Sequence, residues 1–276
     1  MMPLDLVLVR HGESEGNLAN KRSRQGNHAD FTKEFVDRHS SEFRLTDRGV
    51  WQSQMAGQWL KANGLGIFDR YYVSEYVRAM ETAVRLDLVG ANWYPEFFLR
   101  ERDYGEIDVM TDEERQERFG DFLKRFRRYG FLTPPPGGES MATLCVRTNI
   151  MLGTMHRECS DKRVIIVNHG EVMWSFRVRL ERIPQWRYKE LESSQNPHDR
   201  MHNCQILHYT RIDPFTGKTT KYYQWMRSVC PWDLTLSSNE WQRIVRPTYS
   251  NDDLAQIVDL YKRLVNETAD AMEETQ

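Results

Sequence analysis

The sequence predicts a three-layer α/β/α fold, a central and mostly parallel sheet with helices on both faces, carrying insertions and a C-terminal extension. Three observations predict it. Leu4–Val9 and Val164–Val167 are short and nearly all apolar instead of alternating, as expected of strands covered on both faces. Amphipathic stretches of helical period lie between the strands. The first strand opens the chain, and a third candidate strand, Tyr71–Ser74, follows Gly64-Leu65-Gly66 and leads into a helical stretch, as in strand–helix alternation.

In chain order, the first strand is followed by residues 18–44, polar, rich in charge and histidine, and without a steady period. A helix then starts at Thr46-Asp47 and runs past Trp51, Met55, Trp59 and Leu60 to a stop at Gly64. After the Tyr71–Ser74 strand, Thr111 and Glu114 form a capping box for a helix with Phe119, Phe122, Leu123 and Phe126 on one face. Thr133-Pro-Pro-Pro-Gly-Gly138 cannot be helical and reads as a stiff extended loop. The next helix begins near Ser140 and turns Leu144, Met151, Leu152 and Met155 inward. From Asp213, Pro-Phe-Thr-Gly makes a turn between two candidate strands, the second ending near Tyr222–Met226. An amphipathic helix is expected around Asp252–Val265, then an acidic tail frayed beyond Ala269. The expected organisation is a catalytic domain over residues 1–211 and an extension over 212–276 packed upon it. Trp225, Trp232 and Trp241 of that extension either seal this packing or serve self-association.

With 39% hydrophobic and 28% charged residues, the chain suits a soluble globular enzyme. Its 38 Lys and Arg stand against 40 Asp and Glu, a balance that points to neither nucleic acid nor a membrane surface as partner. The apolar runs are too short to span a bilayer, and the N-terminus enters the first strand directly, so a cytoplasmic location is expected. Cys145, Cys159, Cys204 and Cys230 are widely spaced and read as reduced, buried thiols. His198 and His202 have a spacing that zinc sites use, but Asn196-Pro197 precedes them and no third ligand is evident, so no metal is expected.

The chemistry concentrates at two strand ends. The first strand runs into Arg10-His11-Gly12-Glu13-Ser14-Glu15-Gly16-Asn17, and the other long apolar strand runs into Asn168-His169-Gly170-Glu171. Each delivers a histidine and a glycine at the carboxyl edge of the sheet, where open α/β folds bind ligands. The glycines permit a tight turn that brings helix N-terminal amides toward an anion.

These motifs resemble those of the histidine phosphatase superfamily, the phosphoglycerate mutase-like proteins, over roughly residues 4–210. Arg10-His11-Gly12-Glu13 matches the segment of the nucleophilic histidine, and Leu45-Thr46-Asp47-Arg48-Gly49 the opening of the first long helix. Tyr72 to Ala83 matches the segment supplying a second phosphate-binding arginine, here Arg78. Gly137-Gly138-Glu139-Ser140 and Val167-Asn168-His169-Gly170 match two further family segments. Leu99-Arg100-Glu101-Arg102-Asp103-Tyr104-Gly105 resembles the mutase branch and makes Glu101 the implied proton donor, with Asp103 and Glu106 as rivals close in sequence.

The resemblance implies a phospho-His11 intermediate on a small phosphorylated substrate, with no cofactor and no Mg²⁺. Arg10 and Arg78 offer planar forks to phosphate oxygens. His169, Asn17, Ser14, Arg102, Gly170 and the amides from Gly12 onward complete the implied cradle. His11 must be neutral at attack, while His169, beside the phosphate, is expected to carry a proton. A phosphatase is favoured over a mutase because the segment between acid and Gly-Glu-Ser is short, and Lys124, Arg125, Arg127 and Arg128 read as a solvated helix face. A catalytically inactive phospho-ligand binder is the alternative of a different class. Residues 18–44, with Arg22, Arg24, His28 and Lys33, are read either as a lid or as a surface insertion. Glu171 puts an unusual carboxylate beside the phosphate site, where it either pairs with an arginine, tunes His169, repels highly anionic substrates or points away.

Overall fold

In the computed structural model of the chain, residues 1–265 are described. The sheet is built on β1 (Asp5–Arg10) and β4 (Arg163–Asn168), which pair in parallel from Asp5 opposite Arg163 to Arg10 opposite Asn168. From Leu6 to Val9 and from Val164 to Val167 every side chain has zero exposure, which is why both strands are apolar at consecutive positions. β2 (Arg70–Val73) lies parallel to β4, and β3 (Trp93–Pro95) parallel to β2. β5 (Ile206–Thr210) runs antiparallel on the other side of β1, followed by antiparallel β6 (Trp225–Val229) and β7 (Gln242–Arg243). The order is β3-β2-β4-β1-β5-β6-β7. The parallel half therefore sends the carboxyl ends of β1, β2 and β4 to one edge.

Two cores flank the sheet. Leu6, Leu8, Val164 and Ile166 pack under α6 (Met141–Glu158) and α7 (Gly170–Glu181), with Leu144, Met151, Met155, Met173 and Phe176 fully buried or nearly so. Val7, Val9, Ile165 and Val167 pack under α3 (Asp47–Ala62) and α4 (Val77–Arg85) through Ala56, Leu60, Ala79 and Ala83. These are the expected three layers. Each apolar strand side chain, whose burial is worth about 1.5–3 kcal/mol, contributes to one of the two cores, so both helix layers are held to the same two strands.

The helix starts follow their caps. Thr46 accepts the Gly49 amide at 3.1 Å, and Gly64, at φ +70°, lies just beyond the end of α3. Thr111 and Glu114 do form the reciprocal capping box of α5 (Asp112–Tyr129), but Phe119 leaves helical geometry and none of the helix is fully buried. Ser140 caps α6, and Leu152 is only half-buried there.

Residues 18–44 are more regular than their composition suggested. They contain most of α1 (Glu15–Ser23), then α2 (Lys33–Asp37) and a short 3-10 turn, Ser40–Glu42. Residues 212–245 continue the sheet as β6 and β7, so the compact unit extends to Val245, past the boundary expected at 211. Trp232 donates from Nε1 to the Asn203 carbonyl, while Trp241 and Trp59 sandwich the Arg227 guanidinium at 4.7 Å each. Trp225 pairs with Phe215. Of the described residues, 246–265 belong to a separate unit, in which α9 (Asn251–Asp259) starts at a Ser250–Asp253 capping box. It ends earlier than the expected Asp252–Val265 helix, with no buried face to hold further turns. The tail expected to fray beyond Ala269 lies outside the described residues. Between α7 and β5 comes α8 (Gln185–Ser193).

Candidate active site

The register of β1 and β4 creates the centre of the site. His11 donates its backbone N–H to the Asn168 carbonyl, so the two residues that follow paired Arg10 and Asn168 are both histidines. Their ring centroids lie 5.1 Å apart. A cleft of about 1150 Å³ opens over them. It is walled by the 39–43 strap, the start of α4, residues 100–108, the first turn of α7 and the end of α8.

His11 is buried, and its tautomer follows from its partners. Nδ1 lies 2.7 Å from the Gly12 carbonyl, which can only accept, so Nδ1 carries the proton. Nε2 lies 3.2 Å from Nε of Arg78, which can only donate, so Nε2 keeps its lone pair. Burial, then the Arg78 and Arg10 charges, hold the ring well below the usual imidazole range. His11 thus presents a neutral imidazole whose Nε2 lone pair faces a cationic fork.

Arg78 sits in the first turn of α4 and is itself buried. Besides its bond to His11, its Nη1 donates to the Ser40 carbonyl at 2.6 Å and its Cζ lies 4.9 Å over the Tyr76 ring. Arg10 donates from Nη1 to the Met201 carbonyl, while its buried Nε has no partner. An unpaired buried guanidinium N–H is costly, and an oxyanion in the cleft would satisfy it.

His169 meets surroundings that oppose its expected charge. It is fully buried, and burial, then Arg78, push it well below the usual imidazole range; the proton expected on it depends on a phosphate dianion beside it to offset those effects. Its Nε2 meets the Ser74 hydroxyl at 2.8 Å, its Nδ1 has no partner, and Tyr76 stacks edge-on against it at 5.1 Å.

The amides after Gly12 are a second correction. Gly12 N–H donates to Thr82, Glu13 to Gln52, Ser14 to Asn17 and Glu15 to the Arg44 carbonyl, so these donors serve the fold. Gly12 is needed for packing: a Cβ there would lie 2.4 Å from the Gly49 carbonyl oxygen. The amides available to an anion are instead those of α7, whose N-cap His169 supplies no side-chain cap and whose Gly170 and Glu171 line the cleft. Ser14 caps α1. The Asn17 oxygen accepts from Ser14 and Asn203, which leaves its amide nitrogen as a neutral donor at the cleft wall.

Arg102 is a third correction. It is buried, and its nitrogens donate to Glu139 O, Glu171 Oε2 and Gly130 O, so it braces the wall and is not a free phosphate fork. This contact also settles the orientation of Glu171: it pairs with Arg102 at 3.4 Å and lines the cleft.

Glu101 reaches the cleft, and its Oε1 accepts the Arg102 N–H at 2.9 Å. Burial, reinforced by the neighbouring Glu171 charge, pushes its carboxyl up to about 7. Of the rivals, Asp103 spends its Oδ1 on the Gly105 amide, and Glu106 is exposed and absent from the cleft wall. The Glu101 backbone is held from behind by Arg147 of α6, which forms a bidentate pair with Glu139 at 2.8 and 2.7 Å. Arg147 also donates to the Phe98, Arg100 and Glu101 carbonyls. The Gly137-Gly138-Glu139-Ser140 motif thus supports the acid from outside the cleft. Sequence reasoning missed Arg147, Ser74 and Thr82. Ser74 carried one signal, its place at the carboxyl end of the third strand.

Of the insertion residues singled out for a lid, Arg24 alone lines the cleft. Arg22 pairs with Asp30, and His28 with Ser23 and Glu113. The insertion reaches the site through His39, Ser40, Ser41 and Phe43. Lys124, Arg125, Arg127 and Arg128 are exposed and lie off the cleft wall. His198 and His202 each bond a backbone carbonyl, of Thr235 and Pro197. Among the described residues, no three His, Cys, Asp or Glu are grouped to hold a metal ion, and no helix is long and apolar enough to cross a membrane.

Two strand-end histidines beside two buried arginines, on a sheet of this order, are the arrangement of the histidine phosphatase class. The chain belongs to the histidine phosphatase superfamily (branch 1), whose pattern it matches over residues 6–199. It is 32% identical over 193 residues to a 2,3-bisphosphoglycerate-dependent phosphoglycerate mutase of Methylobacterium radiotolerans, covering 68% of this chain and 84% of that one. A mutase of the same description from Parvibaculum lavamentivorans is also 32% identical, covering 67% and 83%. Among solved structures, a mycobacterial glucosyl-3-phosphoglycerate phosphatase complexed with VO3 aligns at TM-score 0.56 and 19% identity, covering 74% and 92%. A phosphoserine phosphatase mutant of Entamoeba histolytica bound to phosphoserine aligns at 0.56 and 20%, covering 79% and 96%. At these identities the two structures speak to the fold alone.

Proposed function

We propose that the protein is a cytoplasmic, metal-independent phosphomonoester hydrolase working through phospho-His11. The observation that carries this reading is the pairing of a neutral His11, lone pair on Nε2, with a Glu101 carboxyl pushed up to about 7 in the same cleft. Near neutrality such a carboxyl gives up and takes back a proton at little cost.

In the first step Nε2 of His11 attacks phosphorus, the bond to the leaving oxygen breaks, and Glu101 supplies that oxygen with its proton. Nδ1–H stays on the Gly12 carbonyl and stabilises the charge gained by the ring. Arg78 turns from Nε2 of His11 to the phosphoryl oxygens, and Arg10 Nε with the α7 amides completes the cradle. In the second step the Glu101 carboxylate takes a proton from water, the hydroxide attacks phosphorus, and the P–N bond electrons return to Nε2. Small phosphorylated metabolites fit the cleft volume, and the near-neutral charge balance gives no reason to expect nucleic acid.

A mutase reading has one specific observation behind it, the description of relatives 32% identical. Against it, Lys124, Arg125, Arg127 and Arg128 of α5 stay off the cleft wall, and the one α5 arginine on that wall, Arg115, is bonded to the Ile107 carbonyl and Asn20. The test is p-nitrophenyl phosphate hydrolysis in EDTA by wild type and His11→Ala, followed by a panel of phosphorylated metabolites and phosphoglycerate isomerisation. Phosphate release that persists in EDTA and vanishes in His11→Ala supports the hydrolase. Isomerisation without net release moves the reading to a mutase, and a folded protein that does neither is a binder.

A further inference from the structure

We propose that Ser40 and Asp108 are positioning residues for Arg78, acting as a latch that closes the 18–44 insertion onto the acid-bearing segment across the cleft. The inference rests on the reading of Arg78 as a phosphate ligand. Arg78 touches both the nucleophile and the insertion: Nε donates to His11 and Nη1 to the Ser40 carbonyl at 2.6 Å. Where the Ser40 peptide stands therefore decides where the fork points. That peptide is placed by its own side chain, whose hydroxyl donates to Asp108 Oδ2 at 2.6 Å, a bond spanning 68 residues of sequence. A hydroxyl-to-carboxylate bond of this length belongs to the strong, charge-assisted kind.

Asp108 is in turn locked. Its second oxygen, Oδ1, accepts the Val109 N–H at 3.0 Å, and Val109 has a left-handed φ of 47°. A β-branched residue in that region is costly and persists only where its surroundings over-determine it. The strain sits at the point where the segment starting at Glu101 turns to present its carboxylate to Ser40. His39 on the same strap lies edge-on to Tyr76 at 6.5 Å, and Tyr76 lies against both Arg78 and His169. The strap thus bears on the phosphate cradle; Arg44–Glu81 and the buried Phe43 anchor its far end, and the Ser40–Asp108 bond ties down the peptide that meets Arg78.

The test measures binding of orthovanadate, a phosphoryl-transfer mimic, alongside kcat/KM and thermal midpoint for Ser40→Ala, Asp108→Ala, the double variant and Ser40→Thr. Ser40→Ala keeps the carbonyl that meets Arg78 and removes only the latch. We expect it to weaken orthovanadate binding and lower kcat/KM about tenfold with the midpoint unchanged, tenfold being about 1.4 kcal/mol. Asp108→Ala should do the same, the double variant should be no worse than either single one, and Ser40→Thr should restore wild-type values. Wild-type orthovanadate affinity in folded Ser40→Ala, or losses that multiply in the double variant, would overturn the proposal. Should Asp108→Ala fail to fold, the contrast between Ser40→Ala and Ser40→Thr decides alone. A wild type that binds orthovanadate but hydrolyses nothing removes the phosphatase reading and leaves this one standing on the binding data. A wild type that does not bind it removes the Arg78 fork and the latch together.

Discussion

Replacing Glu101 with Gln should make the protein more stable and less active at the same pH, and both effects can be sized from one environment. The carboxyl rises from an ordinary 4.5 to about 7 because burial and the Glu171 charge disfavour its ionised form. At 1.36 kcal/mol per pH unit this amounts to about 3 kcal/mol, reduced by whatever solvent reaches the half-open cleft. The folded state holds this proton more tightly than the unfolded chain, so between pH 4.5 and 7 it binds more protons and stability falls as pH rises. Above 7 the loss is complete. Urea unfolding at intervals from pH 4 to 8 should show the wild type losing up to about 3 kcal/mol relative to Glu101→Gln across that window. In activity, kcat/KM of the wild type should fall roughly tenfold per pH unit above about 7, as the proton donor is lost. Glu101→Gln should lack that limb. It should lose on the order of 10²–10⁴ on an alkyl phosphate but much less on p-nitrophenyl phosphate, whose leaving group needs little protonation. A variant that keeps the alkaline limb, or loses equally on both substrates, refutes the assignment and turns attention to Asp103.

Three further outcomes follow from the same contacts. Glu171→Gln removes a charge that helps raise Glu101, so the alkaline limb of kcat/KM should move to lower pH; an unmoved profile would show that Glu171 has no electrical part in the site. Arg147→Ala strands Glu139 in a buried position and frees three carbonyls around the acid. A stability loss of about 3–5 kcal/mol is expected by denaturant titration, with kcat falling even where the protein stays folded. Gly12→Ala forces a Cβ to within 2.4 Å of a backbone oxygen that has nowhere to retreat, since Gly49 itself packs on Glu13. A cost of about 1–3 kcal/mol should appear in the thermal midpoint, and an unchanged midpoint would mean that the Gly12–Gly49 contact can relax.

The layers, and the meeting of two histidines at one sheet edge, were legible in the chain's own pattern. Consecutive apolar residues at Leu6–Val9 and Val164–Val167, short and followed by glycine, suit strands buried on both faces, and paired in parallel they end at a common edge. A histidine-glycine pair at both ends therefore had to meet there. The helix starts at Thr46, Thr111 and Ser140 were equally legible, because a cap is a local bargain between a side chain and an amide three residues on. Tertiary structure alone decided the proton inventory and the supporting contacts. Burial among arginines holds His169 well below the usual imidazole range, and burial beside Glu171 pushes Glu101 up to about 7, neither of which its sequence neighbours report. Arg102 matched a motif yet turned to brace the wall, while Arg147, matched to nothing, came to hold the acid. Residues 18–44 had no readable period because their order comes from distant partners: Ser40 to Asp108, and Arg44 to Glu81. A side chain's pKa and its partners depend on what lies within a few ångströms in space, and for these residues that neighbourhood is assembled from segments distant in sequence, from 37 positions for Arg44 and Glu81 to 95 for His169 and Ser74.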